Sequence, residues 1–103
     1  MSNTSFNNLT PAEVERLSLL AEEAGEVIQA IGKILRHGYE SRHPKGGPSN
    51  RKNLEREIAD FCTAVDIMCD VSDLSSSAIN RFKKEKARKV AQYLHHQIAF
   101  DRL

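Results

Sequence analysis

Two short acidic runs carry most of the chemistry this sequence can offer. Residues 20–27 read LAEEAGEV, and residues 55–60 read EREIAD. In the first run, Glu22 and Glu26 stand four apart, Glu23 and Glu26 stand three apart, and no cation lies among them. Like charges at these spacings on a helix repel by roughly 0.2–0.5 kcal/mol per pair. Stability does not ask for this arrangement; either the face is well solvated or something positive sits on it. The second run places Glu57 and Asp60 at the same i, i+3 spacing.

Helices must position these groups. The 103-residue chain is the length of one domain, and 40% hydrophobic with 28% charged residues permits a small core. Three prolines, five glycines and 6% aromatic residues favour helices over short strands. Residues 1–9 are polar and read as a flexible N-terminal arm, leaving one domain over residues 10–100. Thr10, Pro11 and Glu13 form a helix start with a capping box. The first helix is expected to run to about Arg36, ahead of Gly38, with a break before Leu17 as an alternative. Residues 38–52, GYESRHPKGGPSNRK, read as a polar loop. Asn53 is a cap for the second helix, which reaches about Asp70, and a third helix spans from Ser76 or Ser77 to about Ile98. The fold class expected is all-α.

On a helical wheel, the helix from Asn53 to Asp70 is apolar over more than half its circumference. Glu57 and Asp60 project from that apolar side, among Leu54, Phe61, Ala64 and Ile67. An unpaired carboxylate there is costly and needs a partner. In the first helix Glu22 shares the polar face with Glu15, Gln29 and Lys33. Glu23 and Glu26 fall beside Leu19, Ala30 and Ile34, a second apolar stripe. Packed together, the two helices would gather four carboxylates at one point. Four carboxylates without histidine or thiolate make an all-oxygen site for a hard cation, Mg²⁺ with Mn²⁺ as a substitute. Ordinary solvated helix charges are the plain alternative for either run taken alone.

The last helix supplies charge of the opposite sign. RFKKEKARK holds six basic residues against one acidic residue. Lys83 and Lys86 fall within the arc of Ile79, Phe82, Val90, Tyr93 and Leu94, and Lys89 lies at its edge. Lys84 and Arg88 face away. Lysines turned towards a carboxylate–metal site suit a polyphosphate tail; snorkelling to solvent is the alternative for each.

With these residues in hand, the chain resembles the MazG-like all-α nucleoside triphosphate pyrophosphohydrolases. EEAGE, Glu22 to Glu26, and EIAD, Glu57 to Asp60, match that family's paired acidic motifs. LRHG before the loop and KARKVAQYL in the last helix add to the likeness, which covers about residues 15–95. The resemblance implies Mg²⁺-dependent hydrolysis of a (d)NTP to the monophosphate and pyrophosphate. It implies Glu23, Glu26, Glu57 and Asp60 as metal ligands, with Glu22 as a ligand of water or of a second metal. It also implies a helical bundle completed by homo-oligomerisation, as a dimer or tetramer. Glu22 or Glu26 is then the candidate to orient the attacking water, and Lys83, Lys86 and Lys89 are candidates to hold the substrate phosphates.

Other functions compete. A helical module could grip nucleic acid with its basic last helix, but a net charge of +1 and lysines within an apolar arc argue against it. A non-catalytic interaction protein would keep the fold alone. Phosphoribosyl-ATP pyrophosphohydrolase, or a dUTP- or dCTP-selective enzyme, lies within the same superfamily. His37, His43, His95 and His96 lack metal-ligand spacing and read as surface or loop residues. No run of about 18 apolar residues is long enough to span a membrane. The N-terminus lacks the features of a signal peptide, and Cys62 and Cys69 stand about 10 Å apart along one helix, too far for a disulfide. A reduced, cytoplasmic protein is the expectation.

Overall fold

A computed structural model describes residues 6–97. Among these, three helices account for the regular structure: α1 (Pro11–His37), α2 (Asn50–Asp70) and α3 (Ser76–Val90), preceded by a 3₁₀ turn at Phe6–Asn8. Of the arm expected over residues 1–9, residues 1–5 lie outside the described region. Asn7 and Asn8 hold left-handed backbone, at φ 61° and 60°, which asparagine tolerates better than most residues. No described helix is long and apolar enough to cross a membrane.

The capping box expected at Thr10 is present. The Thr10 hydroxyl accepts from the Glu13 backbone N–H at 3.1 Å, and the Glu13 carboxylate accepts from the Thr10 N–H at 2.8 Å. From this start α1 runs unbroken for 27 residues, so the break before Leu17 does not occur. The second helix starts three residues before Asn53, because Ser49 caps it instead, accepting from the Lys52 N–H at 3.2 Å. Ser49 is also buried and bridges to Arg42. The Asn50 and Arg51 N–H groups donate to the Ser41 and Tyr39 carbonyls. Arg51 further pairs with Glu40 at 2.7 Å and stacks over the Tyr39 ring at 4.3 Å. The loop is thereby tied to the first turn of α2, which its polar composition did not predict.

Two compact units divide the chain, Met1–Asp73 and Leu74–Leu103. In the first, α1 and α2 pack against each other. Three contacts give their direction: Arg16 meets Asp73, Glu23 and Glu26 meet Glu57 and Asp60, and the Lys33 carbonyl accepts from the Asn50 side chain. Residue numbers rise on α1 as they fall on α2, so the pair is an antiparallel hairpin with the acidic runs near its middle. Its described core is thin: only Ala30, Ala64 and Met68 are buried apolar residues, while Leu17, Ile31 and Ile58 each remain more than 40% exposed.

The second unit contains α3, capped by the Ser75 hydroxyl on the Ala78 N–H at 3.1 Å. It ends at Val90, earlier than the expected end near Ile98, itself outside the described residues. Beyond Val90 the Gln92 and Tyr93 N–H groups reach back only three residues, to Lys89 and Val90. Tyr93 is 72% exposed and Leu94 41%. Without burial to offset the entropy of ordering, the last turns do not extend the helix.

Candidate metal centre

The hairpin brings the two i, i+3 pairs together. One carboxylate oxygen from each of Glu23, Glu26, Glu57 and Asp60 can be chosen so that all four lie within 4.8 Å of one another. Glu23, Glu26 and Glu57 are half-buried and Asp60 is exposed. The cause is the spacing itself. Glu23 and Glu26 sit on the interface side of α1 with Ala30, and Glu57 sits on the interface side of α2 with Ala64 and Met68, so antiparallel packing makes the carboxylates meet. Glu22 is exposed on α1 and stands outside the quartet.

The electrostatics of this point are unfavourable as it stands. Glu23 Oε2 and Glu57 Oε2 are both shielded from solvent and accept no hydrogen bond, whereas buried acceptors are nearly always satisfied. The facing Glu26 carboxyl holds the Glu57 carboxyl above the usual carboxylate range by sharing a hydrogen-bonding position with it. Desolvation and the negative charges of Glu26 and Asp60 push in the same direction, and Arg56 opposes them. Among the described residues the ion pairs are Arg16–Asp73, Arg51–Glu40 and Lys52–Glu55, and none reaches the quartet. A cation would relieve both the orphaned oxygens and the mutual repulsion, and the all-carboxylate donor set fits a hard divalent ion.

Lys83, Lys86 and Lys89 lie on α3, and all three are exposed, as is Phe82 at 56%. Cys62 and Cys69 are free thiols, and His37 and His43 are exposed.

A second feature, not apparent in the sequence, lies beside the quartet. A cleft of about 340 Å³, lined by Glu26, Glu57, Gln29, Ala30, Lys33 and Asn53, opens on the acidic side. It shares Lys33 and Asn53 with a cleft of about 390 Å³ formed by the end of α1, the loop and the start of α2. That second cleft is lined by Arg36, His37, Arg42 and His43 and by no carboxylate. The signal was present as KILRH and SRHPK on either side of Gly38–Glu40, but only the hairpin shows that these cations face one hollow. No protein-family model, curated protein or solved structure matches the chain.

Proposed function

We propose that the chain is a Mg²⁺-dependent nucleoside triphosphate pyrophosphohydrolase, adding water across the α–β phosphoanhydride to release a monophosphate and pyrophosphate. One observation carries this reading: two i, i+3 acidic pairs from separate helices converge, with two shielded oxygens left unsatisfied and, among the described residues, no cation paired to them. Glu23, Glu26, Glu57 and Asp60 would hold the metal. When bound, Mg²⁺ would offset phosphate charge and lower the pKa of a water.

The chain's own groups do the rest. Glu26, within the quartet, or Glu22, just outside it, orients the attacking water and accepts its proton, which then passes to solvent. That the carboxylates are carried on two packed helices rather than on a loop supports a preset geometry at the reacting phosphates. Lys83, Lys86 and Lys89 are assigned to phosphate contacts on charge and helix register. The exposed apolar side chains of the hairpin, including Leu17, Leu19, Ile31, Ile58 and Ile67, support a bundle completed by a second copy, as a dimer or tetramer. A monomer mass by light scattering at micromolar concentration would contradict that assembly.

Pyrophosphate release across the common NTPs and dNTPs, with Mg²⁺ and with EDTA, tests the activity. The expected result is Mg²⁺-dependent pyrophosphate from at least one nucleotide; no turnover of any of them would refute it. Including phosphoribosyl-ATP distinguishes the related specificity. The six basic residues of α3 favour one rival, a nucleic-acid module, which would instead show a steep salt dependence of DNA or RNA retention.

A further inference from the structure

We propose that the basic cleft beside the carboxylates receives the two terminal phosphates of the nucleotide, the part that leaves as pyrophosphate. The assignment rests on the pyrophosphohydrolase activity proposed above and adds to it the direction in which the substrate lies.

The cleft's donors divide into two kinds. Arg42 donates to the Gly47 carbonyl at 2.9 Å, His43 Nδ1 accepts from the Lys45 N–H at 3.1 Å, and Asn50 donates to the Gly38 carbonyl at 3.1 Å. These bonds, with Gly46 and Gly47 at φ 94° and 114°, shape the loop that forms one wall. Lys33, Arg36 and His37 form no side-chain hydrogen bond or ion pair among the described residues. Lys33 lines the acidic cleft with Glu26 and Glu57 yet pairs with neither. Cations placed beside carboxylates but not spent on them remain available to an anion.

Favourable placement of cations at a helix C-terminus would explain Arg36 and His37. It does not explain Lys33, more than a turn from the end of α1, nor Arg42 and His43, which the loop folds back over the same hollow. A nucleobase is a poor occupant, because base and cofactor sites are mostly apolar or aromatic. This lining is lysine, arginine, histidine, serine, asparagine, proline and glycine. Phosphate oxygens suit it: arginine and lysine give charge-assisted bonds to them. The terminal phosphates also carry the most charge on the substrate. Because the two clefts share Lys33 and Asn53, a chain whose α–β linkage lies at the quartet can run directly into the basic one.

Calorimetric titration of sodium pyrophosphate and, separately, of AMP in EDTA tests this without metal or turnover. The proteins compared are the wild type, Lys33→Ala/Arg36→Ala, Lys33→Arg and Glu57→Gln. The expected result is pyrophosphate binding to the wild type, weakened at least about tenfold in the double variant and retained in Lys33→Arg. Glu57→Gln should bind pyrophosphate as well or more tightly, and the AMP affinity should not respond to the double substitution. Circular dichroism of the double variant should match the wild type, since the side chains removed are exposed. Absent pyrophosphate binding in the wild type, equal binding in the double variant, or a selective loss of AMP would overturn the proposal. If pyrophosphate binds as expected but no triphosphate is hydrolysed with Mg²⁺, the activity fails and the anion site stands.

Discussion

The α1–α2 hairpin treats its carboxylates in two opposite ways. Near one end, Asp73 receives a two-point ion pair from Arg16, with Nε to Oδ2 at 2.6 Å and a second guanidinium nitrogen to Oδ1 at 3.1 Å. The Asp73 N–H also donates to the Met68 carbonyl past the end of α2. That hydrogen bond from Arg16 holds the Asp73 carboxyl below its usual range, and the Arg16 charge adds to it against partial desolvation. Near the middle, four carboxylates converge without such a partner among the described residues, and Glu57 is held above its range. The same two helices can thus supply a cation where a carboxylate secures the fold. At the quartet no ion pair among the described residues plays that part, and the repulsion between the carboxylates is left unrelieved.

Substitutions should separate the two regions. Glu57→Gln or Asp60→Asn should reduce turnover by about 10²–10³ or more, while leaving the fold intact and its metal-free melting temperature equal or higher, because a repelling charge has gone. Asp73→Asn should do the reverse, lowering the melting temperature and preserving the response to metal. A metal-free melting temperature that falls as far in Glu57→Gln as in Asp73→Asn would erase the distinction between the two sites.

A second test asks whether α3 contributes uncompensated charge to the same ligand. Lys86→Ala should lower kcat/KM by about 10², whereas Lys84→Ala, on the opposite side of the helix, should be close to neutral. Equal effects would mean that the register assigned to α3 is wrong. Smaller in size, millimolar Mg²⁺ or Mn²⁺ should raise the wild-type melting temperature by several degrees through binding to the folded form alone. Glu57→Gln should show little of that rise.

The smallest effect belongs to pH. A carboxyl whose folded pKa lies below its unfolded value of about 3.9 contributes stability above that pH. The contribution fades as pH falls through the lower folded value. The melting difference between wild type and Asp73→Asn should therefore be constant near neutrality and shrink in acid below about pH 4. A difference that persists unchanged at pH 2 would mean that the Arg16 pair is not its source.

What was legible beforehand follows the range of each signal. Periodicity put Glu23, Glu26 and Glu57 on faces that would meet, because i, i+3 spacing and helix packing are local rules applied twice. The cap at Thr10 was equally readable from three adjacent residues. The start of α2 was not, since Ser49 outcompetes Asn53 only through its bridge to Arg42 and the backbone bonds from Asn50 and Arg51 into the loop. The end of α3 depended on burial, and an exposed Tyr93 and Leu94 cannot be recognised from their hydrophobicity. The basic cleft was hidden for a related reason: Lys33 and Arg36 precede the loop, Arg42 and His43 lie within it, and only the returning chain brings them together.

The claim that the quartet is a cation site meets its most direct test in a calorimetric titration of Mn²⁺ into the metal-free protein, run on wild type, Glu57→Gln and Asp73→Asn at the same pH and salt. Saturable binding is expected for the wild type and for Asp73→Asn, and its loss in Glu57→Gln. No saturable binding to the wild type, or equal binding to all three proteins, would contradict it.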